Sequence, residues 1–202
     1  MDLKYWNDIY KNKSDKEVSW FQDVPTASLH LINELNLDLD DSIIDIGAGN
    51  SRLVDTLLDL GFRQLSILDI SGVAHERTRV RLGDKSNSLK FITSDVNKFK
   101  PTEKYKLWHD RATFHFLTTT KEVKKYLDLV NQAIATDGFL IISTFSKTGP
   151  EKCSGLPITQ YSESDLKTIF QKYFSNIRCL EDRHQTPWGT TQDFVYCGFK
   201  RR

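Results

Sequence analysis

The architecture of this chain follows from one stretch, Ile43-Ile44-Asp45-Ile46-Gly47-Ala48-Gly49-Asn50-Ser51. A short apolar run ends in two glycines one residue apart, and an amphipathic segment follows. This pattern predicts a β-strand, a tight turn and a helix that begins at Ser51, the arrangement at which α/β sheets bind nucleotides. Because Gly47 and Gly49 lack a Cβ atom, the backbone can adopt positive φ and a ligand can lie against it.

Acidic residues follow two further predicted strands. Asp69 ends the apolar run that begins at Leu65, and it lies 20 residues after Gly49, where such folds place a carboxylate on ribose hydroxyls. A third run ends in Asp95-Val96. Taken singly, Asp69 or Asp95 is equally well explained as a helix cap or a turn residue. Together with the glycines, the two acids favour a nucleotide site.

The glycine pattern distinguishes two kinds of nucleotide. A nicotinamide dinucleotide site requires a third glycine, and Arg52 stands at that position here. The pattern Asp45-x-Gly47-x-Gly49 instead resembles the glycine-rich loop of class I S-adenosylmethionine (SAM) methyltransferases. The resemblance implies SAM as cofactor, S-adenosylhomocysteine as its product, Asp69 at the ribose and Asp95 with Val96 at the adenine. The cofactor-binding residues that it implies in and around these motifs are Asp45, Gly47, Ala48, Gly49, Arg52, Asp69, Ile70, Asp95 and Val96.

The rest of the chain continues the alternation of strands and helices. Strands are predicted at 42–46, 65–70, 89–93, 105–112 and 138–145, with helices at 51–60, 72–82 and 120–136. Two final runs, near 176–183 and 191–199, flank a Pro- and Gly-containing turn that predicts a hairpin. We therefore expect an α/β fold with a Rossmann-like methyltransferase sheet, mostly parallel with an antiparallel C-terminal hairpin strand, and helices on both faces.

Composition limits the possible partners. The 202 residues carry 28 basic and 27 acidic side chains, so no strong field recruits nucleic acid or a membrane surface. No run approaches the ~18 apolar residues of a membrane span, and no signal peptide is evident, which predicts a cytoplasmic protein. Cys153, Cys179 and Cys197 are few and far apart, so we expect free thiols and no bound metal. The oligomeric state is not predicted.

The N-terminal segment is rich in aromatic residues. We expect one domain over 1–202, in which residues 1–38 form an arm and helix that act as a lid on a core of 39–202. Tyr5-Trp6 and Trp20-Phe21 resemble a segment of small methyltransferases related to protein-lysine methyltransferases, where it lies over the methionine end of SAM. The resemblance implies that Trp20 contacts the cofactor. Alternatively, Trp6 and Trp20 anchor the arm to the core, and both roles are compatible.

Candidate catalytic residues follow the fourth strand. Alternation along this strand separates His109 and Arg111 from Trp108 and Asp110. Asp110 is a candidate for orienting the methionine ammonium or an amine acceptor, and His115 for accepting a proton. Arg111 is a candidate for binding an acceptor carboxylate. The structural alternatives are an ion pair of Arg111 with Asp110 or another acid, and a hydrogen-bonded His115 at a helix start.

These features predict methyl transfer from SAM to a small-molecule or protein-lysine acceptor. The near-neutral charge favours a small molecule, and RNA is less favoured. Two other hypotheses are a catalytically silent SAM-binding partner subunit and, more remotely, a nicotinamide-dependent oxidoreductase. Arg52 and the terminal hairpin argue against the oxidoreductase.

Overall fold

A computed structural model describes residues 2–202 of the protein. The strands are β1 (Ser42–Ile46), β2 (Gln64–Asp69), β3 (Leu89–Thr93), β4 (Tyr105–Arg111), β5 (Ile134–Phe145), β6 (Lys152–Cys153), β7 (Leu156–Pro157), β8 (Phe174–Gln185) and β9 (Thr191–Arg201). The helices are α1 (Leu3–Asn12), α2 (Thr26–Asn33), α3 (Leu53–Asp59), α4 (Gly72–Leu82), α5 (Thr120–Ala133) and α6 (Glu163–Phe170). Among the helices of residues 2–202, none is long and apolar enough to cross a membrane.

Seven strands form one sheet in the order β3-β2-β1-β4-β5-β9-β8, and β6 and β7 form a separate ribbon. Strands β1 to β5 are parallel, whereas β9 is antiparallel to both of its neighbours, β5 and β8. This topology confirms the predicted sheet and its C-terminal hairpin. The carboxyl ends of β1, β2 and β4 therefore lie side by side at one edge, where open α/β sheets bind ligands.

Alternating side chains divide the core between the two faces of the sheet. Ile44 and Trp108 pack on one face with residues of α5 and α6. Ile43 and Leu107, one position earlier on the same strands, pack on the other face with residues of α2 and α3. This period of two determines which residues at the strand ends can face a common cavity.

Some boundaries differ from the predicted ones. The helix predicted from Ser51 begins at Leu53, because the Ser51 N–H donates to the Ala48 carbonyl in a turn. The helix predicted over 120–136 ends at Ala133, and β5 begins at Ile134 rather than at 138, because Ile134 already pairs with Tyr105 of β4.

The cysteines correct the expectation of free thiols. Cys179 of β8 and Cys197 of β9 face each other in the strand register and form a disulfide with a Cα–Cα distance of 4.1 Å. Cys153 is free and buried. Spacing in the sequence did not reveal the pair, because the two cysteines meet only through the register of the hairpin.

A buried carboxylate fixes the chain at the end of β4. Asp110 Oδ1 accepts from the backbone N–H groups of Thr113 (2.9 Å) and Phe114 (3.1 Å), and Oδ2 accepts from the Tyr126 hydroxyl (2.6 Å). The Tyr126 hydroxyl also accepts from Trp108 Nε1 at 2.9 Å. Burial raises the pKa of Asp110 to about 6, and the three donors oppose this rise. Asp110 thus joins β4, the turn that follows it and α5.

We expect Asp110→Ala to lower the free energy of unfolding by about 3–5 kcal/mol, because it leaves three buried donors without an acceptor. Asp110→Asn keeps one acceptor oxygen for the two backbone donors and should lose less. Urea denaturation at pH 7 measures both variants against the wild type. An Asp110→Ala protein within 1 kcal/mol of the wild type would contradict this structural role.

Candidate active site

A cavity lies at the carboxyl ends of β1, β2 and β4 and is covered by residues of the N-terminal arm. Many of the residues implied in SAM binding line it: Trp20, Asp45, Gly47, Ala48, Arg52, Asp69, Ile70 and Val96. Gly49 and Asp95 stand immediately beside lining residues, and the Asp95 carboxylate caps the turn at Val96–Lys98 by accepting from the Asn97 N–H at 2.8 Å. The sequence motifs are thus brought together around one cavity.

The two glycines of the first turn have no room for a side chain. Both adopt positive φ, +61° at Gly47 and +55° at Gly49, which L side chains rarely adopt. A Cβ atom at Gly47 would overlap the Thr113 hydroxyl, and one at Gly49 would overlap the Tyr10 hydroxyl. The loop is therefore a backbone cradle between the arm and the end of β4.

The Asp69 carboxylate forms part of the cavity wall. Oδ2 accepts from the Gly49 N–H at 2.8 Å, and Oδ1 accepts from the Ser71 N–H at 2.7 Å. Burial raises the pKa of Asp69 to about 6, while the bonds from Ser71 and Gly49 lower it. A carboxylate accepts about four hydrogen bonds, so each oxygen keeps capacity for a ligand hydroxyl.

A buried hydrogen-bond network of side chains orients Asp45. His109 contacts Asp45 Oδ1 through Nδ1 at 2.7 Å and Ser28 Oγ through Nε2 at 2.9 Å. The order is that of a Ser-His-Asp triad, but Ser28 of α2 is fully buried and does not line the cavity. Asp45 and His109 do line the cavity, so this network positions a carboxylate there but presents no nucleophile.

Aromatic rings of the arm cover the cavity. Trp6 and Tyr10 stand on the buried face of α1, and Ala74 of α4 belongs to the same apolar cluster. The Trp20 ring lies 6.0 Å from Trp6 and 6.4 Å from Tyr10, centroid to centroid, in edge-to-face geometry. Phe116, which follows β4, packs edge-on against Trp6 at 5.4 Å. The arm thus joins both walls of the cavity.

Ion pairs hold the arm to α4 and to Arg52, which follows the glycine loop. Arg77 of α4 donates to the carbonyl oxygens of Tyr10 (3.0 Å) and Lys13 (2.6 Å) and to Asp15 Oδ1 at 2.7 Å. Asp15 Oδ2 accepts from Arg52 at 2.8 Å. These pairs are partly buried, so water screens them less than fully exposed pairs.

Two of the three catalytic candidates do not line the cavity, which corrects the roles expected of them. Asp110 faces the opposite side of β4, and its carboxylate is occupied by the turn and by Tyr126. His115 is buried against the rings of Phe116 and Phe145, at centroid distances of 4.6 and 5.0 Å. Burial, and secondarily the charge of Arg111, lowers the pKa of His115 to about 3. Neither residue is placed to exchange a proton with a ligand in the cavity.

Arg111, the third candidate, does line the cavity. Its Nε donates to the Tyr196 hydroxyl and its Nη1 to the Trp20 carbonyl oxygen, both at 2.9 Å. The alternative ion pair with Asp110 is not formed, because the two side chains project from opposite faces of β4.

Sequence reasoning missed several residues of the cavity wall, among them Tyr10, Asp15, Thr113, Phe116 and Cys153. The spacing of Trp6 and Tyr10 on one face of α1 was a usable signal for Tyr10. Cys153 carried no such signal, because β6 reaches the cavity only through tertiary packing.

Comparisons with known proteins agree with this geometry. No family model matches the chain. It is 27% identical over 182 residues to a malonyl-[acyl-carrier protein] O-methyltransferase of Ilyobacter polytropus, covering 82% of this chain and 69% of the relative. It is 29% identical over 122 residues to an eEF1A lysine and N-terminal methyltransferase homologue of Drosophila melanogaster, covering 58% of this chain and only 17% of that longer protein.

The fold also matches a solved structure. The N-methyltransferase NodS of Bradyrhizobium japonicum, in complex with S-adenosylhomocysteine, superposes with a TM-score of 0.71 at 15% identity, covering 98% of both chains. These similarities in sequence and in fold confirm the resemblance to class I SAM-dependent methyltransferases that was found in the sequence. The residues present fit SAM, because Asp69 lines the cavity and keeps acceptor capacity for ribose hydroxyls beside the backbone of the glycine loop.

We expect Asp69→Asn to weaken SAM binding by about 1.5–3 kcal/mol, or one to two decades, because a charged acceptor is lost. In the wild type, Asp69 of the free protein becomes protonated as the pH is lowered through about 6. SAM should therefore bind more weakly at pH values below about 6 than at neutral pH. Calorimetric titration between pH 5 and 8 measures both effects. A pH-independent wild type, or a folded Asp69→Asn protein with unchanged affinity, would refute the assignment.

Gly49→Ala and Gly83→Ala form a matched pair, because both glycines have φ of +55°. No atom lies within 4 Å of a Cβ built at Gly83, whereas one at Gly49 meets Tyr10. Each variant should lose about 1–2 kcal/mol of stability from the backbone conformation. Only Gly49→Ala should also lose SAM affinity. Equal SAM affinity in the two folded variants would show that the loop is merely a turn.

Proposed function

We propose that the protein transfers a methyl group from SAM to a small-molecule acceptor held in the cavity under the N-terminal arm. The observation that carries this proposal is the bond between the Gly49 N–H and the Asp69 carboxylate. This bond supports the proposal because it joins the backbone of the glycine loop to a carboxylate that could accept from ribose hydroxyls, at the edge of the sheet where ligands bind.

The residues of this wall would hold different parts of the cofactor. Asp69 would accept from the ribose hydroxyls, and the backbone from Gly47 to Gly49 would lie along the methionine tail. Asp45, oriented by His109, would face the ammonium group. Ile70 and Val96, which line the same cavity, would flank the adenine. SAM supplies an electrophilic methyl group on a sulfonium.

The remaining chemistry is positioning and exclusion of water. A sulfonium displacement proceeds when the acceptor atom is held in line at ~3–3.5 Å, and a closed cavity favours this geometry. Trp6, Tyr10 and Trp20 supply aromatic rings at the arm side of the cavity, where a cation is attracted to their faces. No catalytic base is assigned, since both nitrogens of His109 are bonded.

A small acceptor is favoured over a protein lysine or nucleic acid. The arm is held across the cavity by Asp15, Arg52 and Arg77, which narrows access from outside. The net charge of +1 provides no general attraction for nucleic acid.

A cytoplasmic location is part of this proposal, and there a reducing thiol pool would act on the Cys179–Cys197 disulfide.

Mass spectrometry of ligands released from the purified protein, followed by tritiated-methyl transfer to a size-fractionated cell extract, tests the proposal. We expect bound SAM or S-adenosylhomocysteine and label in the low-molecular-weight fraction. Label in the protein fraction would show that the acceptor is a protein and not a small molecule. Binding without any transfer would support a silent SAM-binding subunit, and absence of SAM binding would overturn the proposal.

Trp20→Ala tests the arm as part of the site, with Trp188→Ala as its control. Trp20 lines the cavity, whereas Trp188 is 54% exposed in the turn between β8 and β9. Trp20→Ala should weaken SAM binding by about 0.5–2 kcal/mol through loss of a cation–π contact, and turnover should fall as water enters. Calorimetry, turnover and melting temperature are compared for both variants. Normal SAM affinity and turnover in Trp20→Ala would refute a role of Trp20 in the site and indicate that the arm is only a structural brace.

A further inference from the structure

Arg111 carries a buried donor that the protein does not use. The Nε and Nη1 atoms are bonded to Tyr196 and Trp20, but Nη2 is buried and has no hydrogen-bond partner among residues 2–202. The guanidinium also stacks on the Phe194 ring, with its central carbon 4.8 Å from the ring centroid. These contacts fix its orientation at the cavity wall.

Arg111 lacks the acidic partner that three other partly buried arginines have. Arg52 and Arg77 pair with Asp15, and Arg81 pairs with Asp55. Within the described chain, Arg111 forms no ion pair with an aspartate or glutamate.

The titratable groups whose pKa values Arg111 affects also carry no negative charge at neutral pH. Burial lowers the pKa values of His115 and His184, and the guanidinium lowers them further. Burial raises the pKa of Cys153 to about 12, against the effect of Arg111. None of these three groups therefore supplies a negative charge to the guanidinium at neutral pH.

An unpaired charge of this kind is costly to bury. Desolvation of an ion is compensated only by a partner of opposite charge with good hydrogen-bond geometry. A guanidinium is planar and matches a carboxylate, and its bonds to a charged acceptor are stronger than those to neutral groups. An anionic ligand would supply the missing partner.

The position of Arg111 places such a ligand beside the cofactor wall. Arg111 ends β4, and Thr113, two residues later, contacts the Gly47 cradle. Trp20 and Phe116 line the same cavity and offer apolar surface to a ligand there. The cavity wall therefore combines one arginine that has no acidic partner with aromatic rings, which suits an organic acid with an apolar body.

We propose that Arg111 binds a carboxylate of the methyl acceptor, so that the acceptors of this enzyme are small organic acids. This inference rests on the proposed methyl transfer and identifies the class of acceptor. The methionine tail of SAM carries the same chemical group, so the experiment separates the two sources of a carboxylate.

The test compares wild type, Arg111→Gln and Arg111→Lys, with Arg183→Gln as a control of equal charge change. Arg183 is an exposed residue of β8 that pairs with Asp193 and lies outside the cavity. A small-molecule extract is separated by anion exchange into a retained acidic fraction and a flow-through, and each receives tritiated methyl groups from SAM. Affinities for S-adenosylhomocysteine and for methylthioadenosine, which lacks the amino-acid tail, are measured by calorimetry.

We expect label in the acidic fraction, and a KM for the labelled acid that rises about 10- to 100-fold in Arg111→Gln, in line with loss of a charged hydrogen bond. Arg111→Lys should recover part of this loss, because it restores the charge without the planar fork. Arg183→Gln should behave as wild type. Affinity for S-adenosylhomocysteine should stay within about twofold in the folded Arg111 variants.

Three results would overturn the inference while methyl transfer stands: label only in the flow-through, an unchanged KM in Arg111→Gln, or a selective loss of S-adenosylhomocysteine affinity with methylthioadenosine unaffected. The last result would assign Arg111 to the cofactor tail. If the wild type bound neither nucleoside and labelled no fraction, the proposed function itself would fail.

Discussion

The cavity depends on one carboxylate that is buried at the end of β2. Asp69 accepts from the N–H groups of Gly49 and Ser71, so it holds the turn after β1 against the turn after β2. Burial disfavours its charged form and raises its pKa to about 6, and the two backbone donors offset part of that cost. A ligand with hydroxyl groups would add donors to the same carboxylate, so Asp69 could both organise the glycine loop and bind a nucleoside.

The arm is both a brace and a wall of the cavity. Trp6 and Tyr10 are buried, as expected of aromatic anchors, and their removal would expose apolar surface of α4 and Phe116. Tyr10 also reaches Gly49, the residue whose backbone forms the cradle. Because the same side chains stabilise the arm and shape the site, deleting the whole arm mixes two effects. A single partly exposed residue such as Trp20 separates them better.

The sequence predicted the features that depend on local pattern. The glycine loop, the acid after β2 and the order of strands follow from short-range rules, and β1, β3 and α4 have the predicted bounds. Alternation correctly separated His109 and Arg111 from Asp110, yet the predicted catalytic set combined residues from both faces of β4. The contacts between Tyr10 and Gly49, and between Cys179 and Cys197, were not predictable, because they depend on helix docking and strand register.

The charged residues at the strand ends around the cavity are separated in space. Asp45 and Asp69 stand at the ends of β1 and β2, whereas Arg111 stands at the end of β4. A cofactor with an ammonium and a sulfonium is attracted toward the acids, and an anionic acceptor is attracted toward the guanidinium and repelled from the acids. In a cavity of low dielectric these terms are stronger than in water, so they orient two reactants as well as bind them. A neutral acceptor would gain no such orientation, and the partly buried charge of Arg111 would then lack an anionic partner.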